Sequence, residues 1–227
     1  MLRRHRRDAL TGWLLAACML WAGAAASQEA AGAAAGTTAP AAEAGAAASP
    51  VGPATVKVVL KTSLGEIVLA LEKERAPITA SNFLRYVDQR RLDNSEFYRA
   101  LKLDEEGQYG LIQGGLRGNP KRVLKPIAHE PTTVTGLSHI IGAISMARGD
   151  PGTATADFFI VIGDAVSYDA NQETGDPGYA VFGRVIEGMD VVRAILEQPR
   201  AAGAGEGLMR GQMLARPVKI LSARRAE

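Results

Sequence analysis

Arg99 and Gln113 lie in two consecutive apolar segments of the chain, and Asp157 and Phe159 lie at the start of another. Side chains of a β-strand alternate between faces, so Gln113 shares a face with Leu111, and Asp157 shares one with Phe159. A guanidinium is permanently charged and carries several donors, which suits a reaction whose transition state develops a hydrogen-bond acceptor. The alternative interpretations are that Arg99 is an ordinary solvated strand arginine and that Leu111 and Phe159 are ordinary apolar core residues.

The histidines show no spacing typical of a metal site. His5, His129 and His139 are scattered along the chain, whereas metal ligands recur at short, fixed spacings. We therefore expect no metal. Cys18 is the only cysteine, so the chain can form no internal disulfide.

The first 27 residues have the composition of a secretory signal peptide. Four arginines lie within residues 3–7, an apolar stretch follows from about residue 9 to residue 26, and small residues occupy positions 25–27. A basic start, a short apolar run and a small-residue exit are typical of a cleaved leader. We predict a signal peptide over residues 1–27 and a periplasmic protein. An uncleaved membrane anchor is the alternative.

Cys18 allows a second interpretation of this leader. The sequence Leu15-Ala16-Ala17-Cys18 is similar to the lipobox in which bacterial lipoproteins acylate a cysteine. Residues 19–26 stay apolar, however, where a lipoprotein usually turns polar. Cleavage of the leader is our main prediction, and a lipid anchor on Cys18 is a second alternative to it, beside the uncleaved membrane anchor.

Residues 28–55 consist almost entirely of Ala, Gly, Thr, Ser and Pro and contain no aromatic residue. Such a segment cannot bury enough apolar surface to offset the entropy lost on ordering, so we predict a disordered linker. The folded domain is then residues 56–227.

The charge balance of the chain argues against a nucleic-acid partner. The chain has 26 Lys plus Arg and 24 Asp plus Glu, and without the four leader arginines and Asp8 the counts are 22 and 23. The near-neutral remainder lacks the clustered basic excess of a nucleic-acid surface.

The pattern of residues 56–227 predicts a mainly β domain. Residues 56–61 and 66–72 alternate around a short loop that contains Gly65, which indicates a β-hairpin. Pro77 opens one helical pattern, and residues 189–197 form another. Short apolar segments follow the hairpin at residues 97–101, 109–113, 141–147, 158–162, 179–185 and 218–221. Many short strands with two helices predict a β-barrel that carries helices at its ends.

Several segments resemble one protein family in the same order along the chain. They are the turn at residues 61–67 with residues 76–83, Phe97-Tyr98-Arg99, residues 112–115, residues 142–148, Phe158-Phe159-Ile160, and residues 178–185 with 187–190. Together they resemble the cyclophilins, over residues 56–224, and most closely the exported bacterial branch. The resemblance implies a closed eight-stranded antiparallel β-barrel capped by two α-helices.

The resemblance also implies an activity: rotation about X-Pro peptide bonds without a metal or cofactor, acting on proline-containing segments of unfolded or partly folded proteins. Folding of exported proteins would be the biological role, and we expect a monomer.

Rotation about the peptide bond breaks no bond, so the catalyst needs to hold the proline ring and stabilise a twisted amide. In that state the imide nitrogen becomes pyramidal and accepts a hydrogen bond, which a guanidinium can donate.

The family's functional positions map onto ten residues of this chain. Arg99 matches the catalytic arginine, Gln113 would bond the substrate backbone and orient Arg99, and Phe159 would form the apolar floor. Ala147 and Gly149 would present backbone to the residue before proline. The implied substrate-binding residues are Leu111, Ala147, Arg148, Gly149, Asp157, Tyr168 and Tyr179. For Leu111, an ordinary core position remains an equal alternative.

Two departures from the family lie in the region from Tyr98 to Gln113. An insertion at residues 102–106 places the family's proline-contacting phenylalanine near Gly110, and Tyr109 is the only aromatic residue that could replace it. Tyr98 stands where a histidine is usual, and its side chain is expected to point away from the groove.

Two further departures concern the pocket itself. Asp157 occupies a usual glutamine position and Ser167 a usual aromatic one. A carboxylate on the face of Arg99 would pin the guanidinium, so we hypothesise a modest loss of activity. Because the pocket is thinner, there is an alternative to an active isomerase. It is a catalytically weak module that binds Pro-containing peptides and acts as a chaperone. An unrelated small-molecule-binding barrel would leave the context of Arg99 and Gln113 unexplained.

Overall fold

The computed structural model describes residues 54–226. Eight strands are present: β1 (Val56–Thr62), β2 (Gly65–Leu71), β3 (Ser95–Lys102), β4 (Gly110–Gly115), β5 (Ala143–Met146), β6 (Phe158–Ile162), β7 (Val181–Glu187) and β8 (Met213–Arg225). They close into a barrel in the order β1-β2-β7-β5-β6-β4-β3-β8, with β1 antiparallel to β8. The predicted closed antiparallel barrel is confirmed. The predicted leader and almost all of the predicted linker lie outside the described residues.

The described residues form three α-helices: α1 (Pro77–Asp88), α2 (Thr132–Thr135) and α3 (Met189–Leu196). The two predicted helices are α1 and α3, and α2 is a single additional turn. Buried Glu130 accepts hydrogen bonds from the backbone N–H groups of Ile78 and Thr79 at 3.0 and 2.6 Å. These contacts satisfy donors that a helix leaves free at its start. Within residues 54–226, no helix has both the length and the apolar character needed to span a membrane.

Strand β6 contributes to two apolar layers because its side chains alternate. Phe158 packs inside the barrel, edge-on against Phe83 and Phe97 at centroid distances of 5.3 and 5.7 Å. Phe159 lies on the opposite face. It belongs to an outer cluster of buried residues that consists of Leu111, Ala143, Phe159, Val161 and Val181. The candidate site lies over this outer cluster.

Candidate active site

A cleft of about 510 Å³ lies over the outer cluster. Eight of the ten residues predicted from the sequence line it: Arg99, Leu111, Gln113, Ala147, Arg148, Phe159, Tyr168 and Tyr179. Gly149 and Asp157 do not. Five residues that the sequence analysis did not select complete the lining: Leu101, Leu103, Leu208, Met209 and Gln212. A larger and more open depression of about 800 Å³ beside residues 166–176 contains none of the ten.

Two amide oxygens hold the Arg99 guanidinium at the wall of the cleft. Its Nη1 donates to Oε1 of Gln113 at 2.7 Å, and its Nε donates to Oε1 of Gln212 at 2.8 Å. Within residues 54–226, Nη2 has no protein acceptor. The guanidinium therefore has a fixed position and free N–H groups, as a donor to a substrate requires.

A β-bulge in β3 aims Arg99 at the cleft. The pairing of β3 with β4 shifts register, with Phe97 opposite Gly114 and Arg99 opposite Gln113. The extra residue in β3 is Tyr98, whose hydroxyl accepts a hydrogen bond from Nε2 of Gln113 at 2.9 Å. Tyr98 itself does not line the cleft, but through this hydrogen bond it supports Gln113, which does.

Burial shapes the electrostatics around Arg99. It lowers the pKa of Arg99, while the neighbouring Tyr168, Tyr98 and Tyr179 oppose that shift. A guanidinium stays protonated at neutral pH even when it is buried. Burial, with the charge of Asp157, also raises the pKa of Tyr98, so the hydroxyl that meets Gln113 stays neutral. Two cations therefore line the cleft, Arg99 and Arg148, and the polar partners of Arg99 are neutral amides.

A rigid aromatic floor lies beside Arg99. Phe159 is buried, and its ring meets Tyr179 and Tyr168 edge to face at centroid distances of 5.4 and 6.0 Å. The guanidinium of Arg148 covers the Tyr179 ring at 4.8 Å. An apolar floor with a few polar groups at its border is the usual form of a specific binding site. This floor suits a compact apolar ring next to an amide.

The cyclophilin type peptidyl-prolyl cis-trans isomerase/CLD family matches residues 57–225. The chain belongs to the cyclophilin family. This cyclophilin is 36% identical over 172 residues to a peptidyl-prolyl cis-trans isomerase of Acinetobacter baylyi, covering 74% of the chain and 85% of that protein. It is 38% identical over 173 residues to the isomerase cyp18 of Streptomyces antibioticus, covering 74% of the chain and 96% of that protein. Its activity is the rotation of X-Pro peptide bonds.

A solved structure agrees on the fold. The cyclophilin type isomerase of Cryptosporidium parvum, crystallised in the presence of the dipeptide Ala-Pro, is similar with a TM-score of 0.59 and 20% sequence identity. The match covers 75% of this cyclophilin and 99% of that chain.

Asp157 lies apart from Arg99 in this cyclophilin. Its Oδ1 accepts a hydrogen bond from the backbone N–H of Arg117 at 2.9 Å, and burial raises its pKa while this backbone donor opposes the shift. Arg99 is bonded instead to the two glutamines. The hypothesis that Asp157 pins the guanidinium is therefore wrong. Strand β6 begins at Phe158, so Asp157 precedes the strand and does not follow its alternation.

Gly149 is also outside the cleft. Its N–H donates to Oγ1 of Thr153 at 3.1 Å, and its carbonyl accepts from Nη1 of Arg148 at 2.8 Å. The backbone groups of Gly149, which were predicted to meet the substrate, are therefore bonded within their own loop. Ala147, two residues earlier, does line the cleft.

The insertion between β3 and β4 supplies an aliphatic side chain in place of an aromatic one. Tyr109, the expected substitute, is 51% exposed and does not line the cleft. Its ring lies against Gly163, where an added Cβ would come within 2.5 Å of it. Leu103 lines the cleft instead. Gly110 fits its position because a Cβ there would lie 2.4 Å from the carbonyl oxygen of Leu101.

The loop before β8 contains glycines at positions 203, 205, 207 and 211. It supplies Leu208, Met209 and Gln212 to the cleft. Gln212 was missed because it is 113 positions from Arg99 along the chain. The sequence signal for this loop is a pair of large apolar residues, Leu208 and Met209, between two glycines.

A buried histidine supports the aromatic floor of this cyclophilin. The His139 ring is fully buried and stacks on Phe159 at a centroid distance of 5.8 Å. Its Nδ1 lies 2.5 Å from Oδ1 of Asp169, and its Nε2 lies 3.0 Å from Oγ of Ser145. The neutral ring therefore donates to the carboxylate and accepts from the hydroxyl. Ser145 is fully buried, so this Ser-His-Asp arrangement has no access to a substrate and is structural.

We expect stability to fall at mildly acidic pH because of His139. Burial lowers the pKa of His139 below its ordinary value, with Asp169 opposing the shift. As the pH falls below about 6.5, the unfolded chain binds this proton first, and the free energy of unfolding decreases by up to about 1.4 kcal/mol per pH unit. Urea unfolding between about pH 7.5 and about pH 5.5 measures the decrease.

The matched variants are His139→Asn and His129→Asn. We expect the decrease to shrink in the first and to persist in the second, since His129 is only half-buried and lies away from the floor, bonded to the Pro177 carbonyl. An equal pH dependence in wild type and His139→Asn would contradict the assignment.

Proposed function

We propose that Arg99 stabilises the twisted X-Pro amide while Phe159 and Leu111 seat the proline ring. The observation that carries this proposal is the fixed guanidinium, bonded to Gln113 and Gln212 beside the aromatic floor, with Nη2 free of protein acceptors in the described residues. In this proposal Gln113 orients Arg99 through Oε1.

The chemistry follows from amide resonance. Rotation about the peptide bond faces a barrier of roughly 18–20 kcal/mol because the twisted state loses that resonance. The imide nitrogen then becomes pyramidal, and its lone pair accepts a hydrogen bond from Arg99. This bond exists only in the twisted state, so it lowers the barrier rather than tightening substrate binding. No bond is broken, so no nucleophile or acid–base pair takes part.

The substrate in this proposal is a proline-containing segment of an unfolded or partly folded protein. The backbone at Ala147 faces the residue before proline, and Arg148, Tyr168 and Tyr179 border the bound segment. Crystallisation of the Cryptosporidium parvum relative with Ala-Pro supports such a ligand.

We further propose that the protein is exported and works in the periplasm as a monomer. The basic start, the apolar run and the small residues of the first 27 positions support export. Removal of the leader would also remove Cys18. The mass of the protein recovered from the producing cell tests this: loss of the leader is expected, whereas a mass that includes an acylated Cys18 would establish a lipid anchor instead. Gel filtration with light scattering tests the monomer.

Catalysed exchange between the cis and trans forms of an X-Pro peptide, followed by NMR, tests the isomerase directly. We expect catalytic amounts of the protein to accelerate the exchange. Peptide binding without acceleration would favour the module that only holds Pro-containing peptides.

Gln212 provides a test of how Arg99 is positioned. Gln212→Ala removes one of the two acceptors of the guanidinium, and we expect a loss in kcat of about five- to tenfold with little change in KM. In the Arg99→Ala background the same substitution should have almost no further effect, because Gln212 acts through Arg99. Additive losses in the double variant would show that Gln212 has a separate role.

A further inference from the structure

Three exposed apolar side chains border the cleft beyond Arg99. Leu103, Leu208 and Met209 line the cleft, yet 57%, 94% and 41% of each is exposed. Scattered apolar side chains are normal on a surface, whereas several that converge on one cleft indicate a binding surface. We call these three residues the apolar rim.

Backbone contacts hold the apolar rim in place. The N–H of Leu103 donates to the Tyr109 carbonyl at 3.0 Å, and the N–H of Met209 donates to the Glu206 carbonyl at 3.0 Å. The side chain of Gln212 donates to the Leu208 carbonyl at 2.6 Å. These bonds fix the backbone positions of the rim residues before any substrate arrives, which lowers the entropic cost of binding there.

The turn that carries Leu208 and Met209 depends on Gly205. This residue has a φ of +93°, and a Cβ at this position would lie 2.5 Å from the Met209 carbonyl oxygen. Only glycine accepts both the conformation and the close approach. The backbone N–H of Ala100 also donates to the Gln212 carbonyl at 2.9 Å, which ties this turn to the strand that carries Arg99.

The strand order places the apolar rim on one side of the proline floor. Along the barrel the order is β5-β6-β4-β3-β8. Ala147 follows β5, the floor residues lie on β6 and β4, and the rim follows β3 and precedes β8. The rim and Ala147 therefore lie on opposite sides of the floor.

We propose that the apolar rim is a specificity subsite for a large apolar side chain directly after proline in the substrate. This rests on the proposed function, in which Ala147 faces the residue before proline, so that the chain after proline runs toward β3 and β8. The rim contacts a side chain that is remote from the rotating bond. It therefore binds the ground state and the twisted state about equally, and its effect falls on KM rather than on kcat.

The test compares the peptides Ala-Ala-Pro-Leu and Ala-Ala-Pro-Ser by NMR exchange. We expect wild type to prefer the leucine peptide by about tenfold in kcat/KM, mainly through KM, since burial of such a side chain is worth roughly this factor. In a Leu208→Ser, Met209→Ser double variant, the preference should fall to about twofold or less. The single variant Leu208→Ser should give an intermediate preference.

Val134→Ser is the matched control, because Val134 is 78% exposed on α2 and does not line the cleft. It should keep the full preference. Equal kcat/KM for the two peptides in wild type, or a preference that survives in the double variant, would overturn the subsite. Absence of catalysis with both peptides would overturn the proposed function instead, so the two failures are distinguishable.

Discussion

Replacing Arg99 by alanine is expected to lower kcat for an X-Pro peptide by about 10²- to 10³-fold, the usual cost of removing one donor that meets charge in the transition state. The substrate KM should change little, because the lost bond forms only with the twisted amide. Arg99→Lys should recover only part of the loss, since an ammonium cannot bond Gln113 and Gln212 together and still reach the substrate. The measurement is NMR exchange at several substrate concentrations.

Arg216→Ala is the matched control for this experiment. Arg216 lies on β8, is exposed and does not line the cleft, so its removal should leave both kinetic constants unchanged. A loss of less than about threefold in Arg99→Ala, against the expected minimum of about 10²-fold, would show that Arg99 is not the catalytic residue.

Replacing Phe159 by alanine should affect binding and stability together. The ring lies in the outer cluster and forms the floor of the cleft. Its loss should raise KM by at least about tenfold, because most of the apolar contact to proline disappears. The same change should lower the free energy of unfolding by about 3 kcal/mol, the lower end for buried Phe→Ala substitutions, since the site borders solvent. Peptide titration and urea unfolding measure the two effects.

A second phenylalanine separates these two effects. Phe182 is fully buried in the core inside the barrel and does not line the cleft. Phe182→Leu should therefore lower the free energy of unfolding while KM stays at the wild-type value. Phe159→Leu should retain part of the floor and an intermediate KM. A wild-type KM in Phe159→Ala, measured under conditions in which this variant is folded, would show that proline does not bind on this ring.

The barrel was predictable because its strands are short, alternating and separated by turn residues, and because two helical patterns stand out between them. The pairing of Arg99 with Gln113 was predictable from the family resemblance. The hydrogen bond between Gln113 and Tyr98 was not, since a bulge adds one residue to β3 and alternation cannot anticipate it. Asp157 was misplaced for a related reason, because strand periodicity was extended to the residue that precedes the start of β6.

The remaining site residues depend on contacts that are distant along the chain. Gln212 reaches Arg99 only once β8 lies beside β3. His139, Ser145 and Asp169 come together through three different segments. A single sequence carries no record of such contacts when the residues themselves match no motif, so they became visible only in the folded molecule.

In the proposed function this cyclophilin works on unfolded chains, whose extended segments carry unpaired backbone N–H and C=O groups. Open sheets offer such peptides a row of free N–H and C=O groups to which they can add as an extra strand, which is a common route to aggregation. In this domain β1 pairs with both β2 and β8, and the circle leaves none of the eight strands at an edge. Clients are therefore expected to leave the enzyme rather than to extend its sheet.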